Sequence, residues 1–500
     1  MGRLSAVDGA ILLATLLVAA GAGLLGGRRA GGARAWLVGE RDVPWWAILF
    51  SIVATETSSV TFLSVPGVAY EGDLRFLQLP LGFLLGRWWV ARWLLPLYFE
   101  GDAITSYEVL GRRFGPGVRR ASSLLFLVTR TLADGMRLYL TALPLKLLTG
   151  MPIAAAIAAM TAITVAYTFV GGLRAVVWTD FVQFFVYVGG GVLALAVAVG
   201  GVEGGMASVL DLAREHGKLR WLDPAPFDAD GTLALERTEL LWAGLLGGAF
   251  LALATHGTDQ LMVQRYLCAR SRREAGFALV ASGFVVLAQF ALFLLLGLAL
   301  FAWFRAHPPA TPIAGGDAVF PAFIAGRLAQ IPGAVGVILG GLFAVSMSTL
   351  SSSLNSSSAA LVNDWLAPTI GRSWSDASRL RATRLAMAGF ACVQAACGMT
   401  GAALERSVVH VVLAIASFTT GLTLGLFFLA RSLPGAAPGS PAARRQGRAA
   451  LIAFAVMLAA MIGIWRGTSL AWPWYAVAGS LGTWLIGSAI ERVSRGGSIP

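Results

Sequence analysis

Charge is scarce in this sequence. Of its 500 residues, 13% are Asp, Glu, Lys or Arg, about half of what a soluble globular domain carries, while 57% are hydrophobic. That excludes an ordinary soluble protein, and with it any count of domains from length. Cysteine is nearly absent. Cys268, Cys392 and Cys397 are too few and too scattered for a disulfide framework or a thiolate metal site. The four histidines, His216, His256, His307 and His410, show no ligand spacing. A metalloenzyme is therefore not expected, and no cofactor is predicted. Nor does any nucleophile–base pair point to an enzyme. Lysine occurs only as Lys146 and Lys218, so the net charge of +12 rests on arginine. These arginines stand in short clusters between apolar runs and form no long basic tail, which argues against nucleic acid as a partner.

What is present is apolar length. Runs of about 20 residues mark membrane helices, and thirteen are predicted: 4–26, 43–70, 74–99, 118–148, 151–171, 174–200, 240–264, 275–304, 334–364, 379–402, 406–431, 449–466 and 471–491. The first run has its charge after it, at Arg28, Arg29 and Arg34, the reverse of a secretory signal, and reads as an uncleaved helix. Arginines follow every odd helix: Arg41 with the preceding three after the first, Arg112, Arg113, Arg119 and Arg120 after the third, Arg174 after the fifth, Arg265, Arg270, Arg272 and Arg273 after the seventh, and further groups after the ninth, eleventh and thirteenth. The short loops after even helices hold only Arg75, Arg406 and Arg466. This alternation predicts a multi-pass protein of the cell's inner (plasma) membrane, with its N-terminus outside and its C-terminus in the cytoplasm. The longer connections 201–239 and 305–333 then lie outside, and 433–447 reads as a cytoplasmic linker.

Ionisable residues inside spans default to function. The candidates are Glu56, Arg130, Asp134, Arg137, Asp180, His256 and Asp259. Structural pairing is the plain alternative: Arg130, Asp134 and Arg137 are helical neighbours, and Asp180 lies near a span end. Glu56 is harder to dismiss, because it has five hydroxyl residues around it between Ala54 and Thr61 and no basic neighbour in its own helix. In the ninth helix Ser348, Ser351, Ser352 and Asn355 fall on one face, widened by Thr349, Ser353 and Ser356. Small residues serve close packing as well, but this density of oxygen suits a hard monovalent cation or a polar solute. Gly257 and Thr258 mark a plausible break in the seventh helix beside Asp259. The second helix has no glycine or proline in its polar centre, so a break there is permitted by its hydroxyls, not required. Helices 2–6 (43–200) and 7–11 (240–432) start in opposite senses, and each unit begins with a polar, interruptible helix. That is the pattern of a secondary transporter with a midplane site. Residues 1–42, the loop 201–239 and the segment 433–500 flank the two units.

Several motifs together resemble the sodium:solute symporter family: "WLVGERDVPWWAILFSIVATETSSVTFLSVPG", "ITSYEVLGRRFG", "GGLRAVVWTDFVQ", "GTDQLMVQRYL" and "MSTLSSSLNSSS". The resemblance runs from about Leu37 to Arg431, and "VPGVAY" and "LPLYF" place it nearest the iodide, monocarboxylate and vitamin symporters. It implies an all-α LeuT-like fold with a 5+5 inverted repeat, and import of a small polar organic solute by alternating access with sodium as coupling ion. Carried over, it implies a first sodium site at Ala54, Thr57, Val345, Ser348 and Thr349, and a second at Asp180, Ser348, Ser351 and Ser352. The solute would lie against Glu56, Ser58, Thr61, Gln78, Arg137 and Asp259. Acidic Glu56 and Asp259 depart from the iodide and monocarboxylate members, since two carboxylates repel a simple anion unless protonated or paired. Arg137 with Glu56 suits a zwitterion. A proton-coupled carrier of the same fold, relaying through Glu56, Asp134 and Asp259, is the alternative. A transporter-like sensor would carry a cytoplasmic signalling domain, and none is expected after Arg495.

Overall fold

The computed structural model describes residues 4–27, 32–100, 103–228, 231–309, 312–401 and 408–496. Arg28, Arg29 and Arg406, used in the topology argument, lie outside them. Among the described residues the chain is helical, with no strand beyond two isolated bridges. Helix occupies the described part of each of the thirteen predicted stretches. The elements in chain order are α1 (Ala6–Gly27), α2 (Ala33–Val38), α3 (Trp45–Glu56), α4 (Ser59–Glu71), α5 (Gln78–Trp89), α6 (Leu95–Phe99), α7 (Ser106–Phe114), α8 (Pro116–Thr149), α9 (Ile153–Gly200) and α10 (Gly205–Glu215). Then come α11 (Gly248–Thr258), α12 (Gln260–Leu267), α13 (Arg272–Ala306), α14 (Val319–Gly326), α15 (Ala334–Ala360), α16 (Asp376–Thr400), α17 (Val408–Ser432), α18 (Pro441–Gly467) and α19 (Pro473–Gly496). By length and apolarity five described segments suffice alone to cross a membrane: α1, α9, α13, α15 with its continuation to Leu366, and α18. The bent pair α3/α4 makes six. The count of thirteen spans is thus not reproduced by apolar length alone, because helices such as α8 carry Arg130, Asp134 and Arg137 and others are broken.

Three interruptions shape the molecule. The predicted span 43–70 is two helices, α3 and α4, bent by 63°. Thr57 and Ser58 leave helical geometry (ψ 127° and 166°). No glycine or proline is needed, because Ser58 and Thr61 form a reciprocal capping box that restarts the helix. The predicted span 240–264 divides at Asp259, whose side chain caps α12 by accepting from the Leu261 amide at 2.9 Å. The carbonyl of Gly257, freed by that break, accepts from the Tyr98 hydroxyl at 2.5 Å. Within α9 the predicted helices 151–171 and 174–200 meet at Gly172, whose φ of 57° is a left-handed conformation that glycine adopts without steric cost.

α15 is the axis. It is buried over almost its full length and packs against α9, α8 and α1. Its small hydroxyl residues let neighbours approach closely. At the opposite edge α4 rests on the connection before α14. A Cβ on Gly67 would sit 2.1 Å from the Gly316 carbonyl oxygen, so only glycine permits that contact.

The connection 201–239 folds back over the ends of α4 and α5. Lys218 donates to the carbonyls of Ala69, Tyr70 and Gly72 (3.3, 2.6 and 2.8 Å), satisfying the C-terminal end of α4. Asp223 is buried and holds Arg75, Arg220 and Arg237 at 3.1, 3.0 and 2.9 Å. Burial alone would raise its carboxyl, but the hydrogen bond from Arg75 and the charges of Arg220 and Arg237 outweigh it and hold the group below its ordinary 3.8. A depressed carboxylate contributes stability that is complete above its unfolded value and is lost as pH falls through the lowered folded value. Asp223→Asn is therefore expected to speed proteolysis within 201–239 at pH 7 by about tenfold, the equivalent of one charge-assisted hydrogen bond. In the wild type that acceleration should emerge only below about pH 4. Equal cleavage rates of variant and wild type at pH 7 would refute the clamp.

Candidate functional site

A cavity of about 800 Å³ descends between α4, α5, α8, α11, α13 and α17. Its mouth is lined by Glu71, Gly72, Thr238, Glu239 and Asp317, so it opens on the face that carries the loops 201–239 and 305–333. Its floor is the pair of breaks: Thr55, Glu56, Thr57 and Ser58 from the α3/α4 junction, and His256 and Asp259 from the α11/α12 junction. Arg130 and Arg137 from α8 form one wall, Gln289 from α13 another. Of the solute residues predicted from sequence, Glu56, Ser58, Thr61, Arg137 and Asp259 share this cavity. Gln78 does not. Its amide donates to the carbonyls of Arg75 and Glu239 (3.0 and 3.1 Å) and accepts from the Asp223 amide (3.0 Å), so it is spent in the loop clamp.

The carboxylates of the floor and of the α8 wall are matched. Glu56 pairs through Oε2 with Arg87, and His256 Nε2 stands 3.6 Å from the same oxygen. Arg87 is fully buried on α5, behind Glu56, and donates to Ser282 at 2.5 Å. Asp259 Oδ2 accepts from Arg130 at 2.6 Å, and Asp134 accepts from Arg137 at 2.8 Å with Arg130 at 3.6 Å. The local pairing of Arg130, Asp134 and Arg137 expected from helical spacing is thus present, and Arg130 also ties α8 to α12. Three carboxylates meet three guanidiniums here, so Glu56 and Asp259 are not the unpaired charges that the sequence suggested. The sequence reading missed Arg87. Its signal was an arginine in the middle of an apolar run, which is costly in a membrane unless it has a partner.

Behind the floor, α15 faces the end of α3. Thr349 Oγ1 lies 3.5 Å from the Thr55 carbonyl and 3.2 Å from that of Val345. Ser348 Oγ is 3.4 Å from Thr55 Oγ1. Ala54 is buried at the same level. The Thr57 hydroxyl turns away from α15, to Gln289 (2.9 Å) and Tyr187 (3.1 Å). Ser351 and Ser352 donate to the Ser348 carbonyl (3.0 and 2.7 Å). A hydroxyl whose proton is held by its own helix turns its lone pairs outward, which is the disposition a cation ligand needs.

Asp180 is fully buried and is brought to the same stripe. It accepts from Ser51 at 2.5 Å and from Thr55 at 3.2 Å. The surprise is Arg265. Reckoned from sequence among the cytoplasmic arginines after the seventh helix, it is instead fully buried on α12. Its guanidinium donates to Asp180 at 3.1 Å, Thr55 at 2.5 Å, Ser51 at 2.9 Å, and to Ser352. Counting arginines per loop cannot separate one that faces water from one that turns inward onto a buried carboxylate. Asp180 Oδ1 has no protein partner.

The model of the sodium:solute symporter family matches residues 36–431. The human sodium/iodide cotransporter is 31% identical over 374 residues, 73% of this chain and 56% of its own. The rabbit (Oryctolagus cuniculus) sodium-dependent multivitamin transporter is 28% identical over 407 residues, 80% of this chain and 62% of its own. The mouse sodium-coupled monocarboxylate transporter 2 is 28% identical over 406 residues, 80% and 64%. The chain spans less than two thirds of the length of these three relatives. Family and relatives are transporters, not enzymes. Among solved structures, the substrate-bound outward-open state of a Na+-coupled sialic acid symporter superposes with a TM-score of 0.84 at 23% identity, covering 98% of both chains. A nucleobase-cation-symport-1 family transporter in a closed conformation gives 0.55 at 12% identity, covering 92% of this chain and 94% of that one. These likenesses establish an all-helical, LeuT-like transporter fold, and with the apolar helices a multi-pass membrane protein.

Proposed function

We propose a sodium-coupled symporter: this chain belongs to the sodium:solute symporter family, and its cavity ends where sodium and solute sites would meet. The observation that carries the reading is the approach of Ser348 and Thr349 on α15 to the freed end of α3 at Thr55. Sodium one would take the backbone oxygens of Ala54, Thr57 and Val345 with the hydroxyls of Ser348 and Thr349. Sodium two would take Asp180 with Ser348, Ser351 and Ser352. A cation at the first position ties the two units, 43–200 and 240–432, together across the break, and the solute closes the cavity above it. The same units rocking against each other would then expose the site to the other side.

The solute in this reading is a small polar organic molecule that carries a carboxylate. Arg137 anchors itself to Asp134 through Nη1 alone. Its Nε is buried without a partner, and a buried donor left unpaired costs more than one that meets a ligand. The paired state of Glu56 and Asp259 removes the objection to an anion, and the monocarboxylate transporter among the relatives agrees in kind. Purified protein in liposomes tests the coupling. Uptake of a solute found by thermal-shift screening of carboxylic acids should require an inward sodium gradient at fixed pH, and should rise with inside-negative potential. Uptake that follows a proton gradient in sodium-free buffer would overturn the reading.

A further inference from the structure

Two side chains that line the cavity keep an atom without a protein partner, and they differ in sign. On α8, the Nε of Arg137 has no partner and its Nη1 alone is held by Asp134. Nε and Nη2 form the side-on fork that receives a carboxylate through two parallel hydrogen bonds. At the break between α3 and α4, Glu56 is partly exposed to the cavity. Both of its neighbours, Arg87 and His256, meet Oε2. Oε1 remains as an acceptor for whatever fills the space. Arg87 lies wholly behind Glu56 and does not line the cavity. It therefore orients the carboxylate through Oε2 without presenting its own charge to the solute. The floor and the α8 wall together are balanced, with Arg87, Arg130 and Arg137 against Glu56, Asp134 and Asp259, apart from the carboxylates at the mouth. Their complement is a molecule that is neutral overall and charged at both ends.

We propose that the solute is a zwitterion, its carboxylate on Arg137 and its ammonium on Glu56 Oε1, with Arg87 as the positioning residue that holds Glu56 by Oε2 and leaves Oε1 to the solute. This rests on the solute-binding reading of the cavity and narrows it. A simple monocarboxylate would fill the arginine and leave the Glu56 acceptor without a donor, which costs affinity. An alkylamine would do the reverse. The wide cavity sets no length for the molecule, so the probes span a series.

The test measures binding to the full-length protein in detergent, with saturating sodium, by calorimetry. The probes are the ω-amino acids from glycine to 6-aminohexanoate, each with its matching monocarboxylate and alkylamine. At least one ω-amino acid should bind on the order of tenfold or more tighter than both of its halves. In Glu56→Gln with Arg87→Gln, which removes both charges and keeps a hydrogen-bonded pair, that advantage should vanish and the amino acid should bind like its carboxylate. The double variant avoids a lone buried guanidinium that would compromise folding. If monocarboxylates bind as tightly as every amino acid, the zwitterion inference is wrong and the carboxylate reading stands. If amines bind best, or if no probe binds, both fall. If the double variant keeps the full preference, Glu56 is not the ammonium site.

Discussion

Ser348→Ala combined with Thr349→Ala is expected to insert and fold normally yet lose sodium-driven uptake. Both hydroxyls sit on a helix that alanine favours, and Thr349 donates to its own backbone, so the fold loses little. The proposed ion loses two of its oxygen ligands. At about 1.5 kcal/mol or more for each hydrogen-bond-like contact to a charged group, sodium affinity should fall on the order of 100-fold. The apparent sodium affinity drops first, and solute affinity at saturating sodium follows less. Moving one charge through the membrane potential is worth about 2.3 kcal/mol per 100 mV, so a carrier that no longer holds its ion also loses its voltage dependence. Sodium titrations of uptake in liposomes at fixed potential measure this. Unchanged sodium dependence would remove α15 as the ion helix and favour proton coupling through Glu56.

Arg265→Ala should be the most destabilising single change in the polar interior. Arg265 and Asp180 have no exposure to water, and deleting one partner strands the other charge. Breaking a buried pair costs about 3–5 kcal/mol. Adding Asp180→Asn to Arg265→Ala should recover most of the lost melting temperature, because no charge is then left uncompensated. Sodium sharpens the test. In Arg265→Ala the carboxylate is open to an ion at the proposed second site, so sodium should raise the melting temperature of this variant more than that of the wild type, and should do nothing comparable for the double variant. Thermal unfolding in sodium and in choline buffers reads all three. A wild-type melting temperature for Arg265→Ala would show that the pair does not hold α12 against α9.

Apolar length and the density of hydroxyls around Glu56 and along 347–358 were legible in the sequence, and with them the helical class, the polar helix and the candidate ion stripe. These are local properties: a run of side chains sets the solvent a helix prefers, and period sets which residues share a face. The place of the seventh-helix break followed in the same way, since Gly257 and Asp259 act within a turn. What only the tertiary structure decided is who meets whom. Nothing in the order of residues says that Arg87 on α5 stands behind Glu56 on α3, that Gln78 is consumed by a loop, or that Arg265 turns inward to Asp180. Each of these is a contact across more than 30 positions or between distant helices. Charge pairing at that range depends on which helix faces pack together, and the packing is fixed by the whole chain at once. The pairing of charges on the cavity floor is a property of that packing alone.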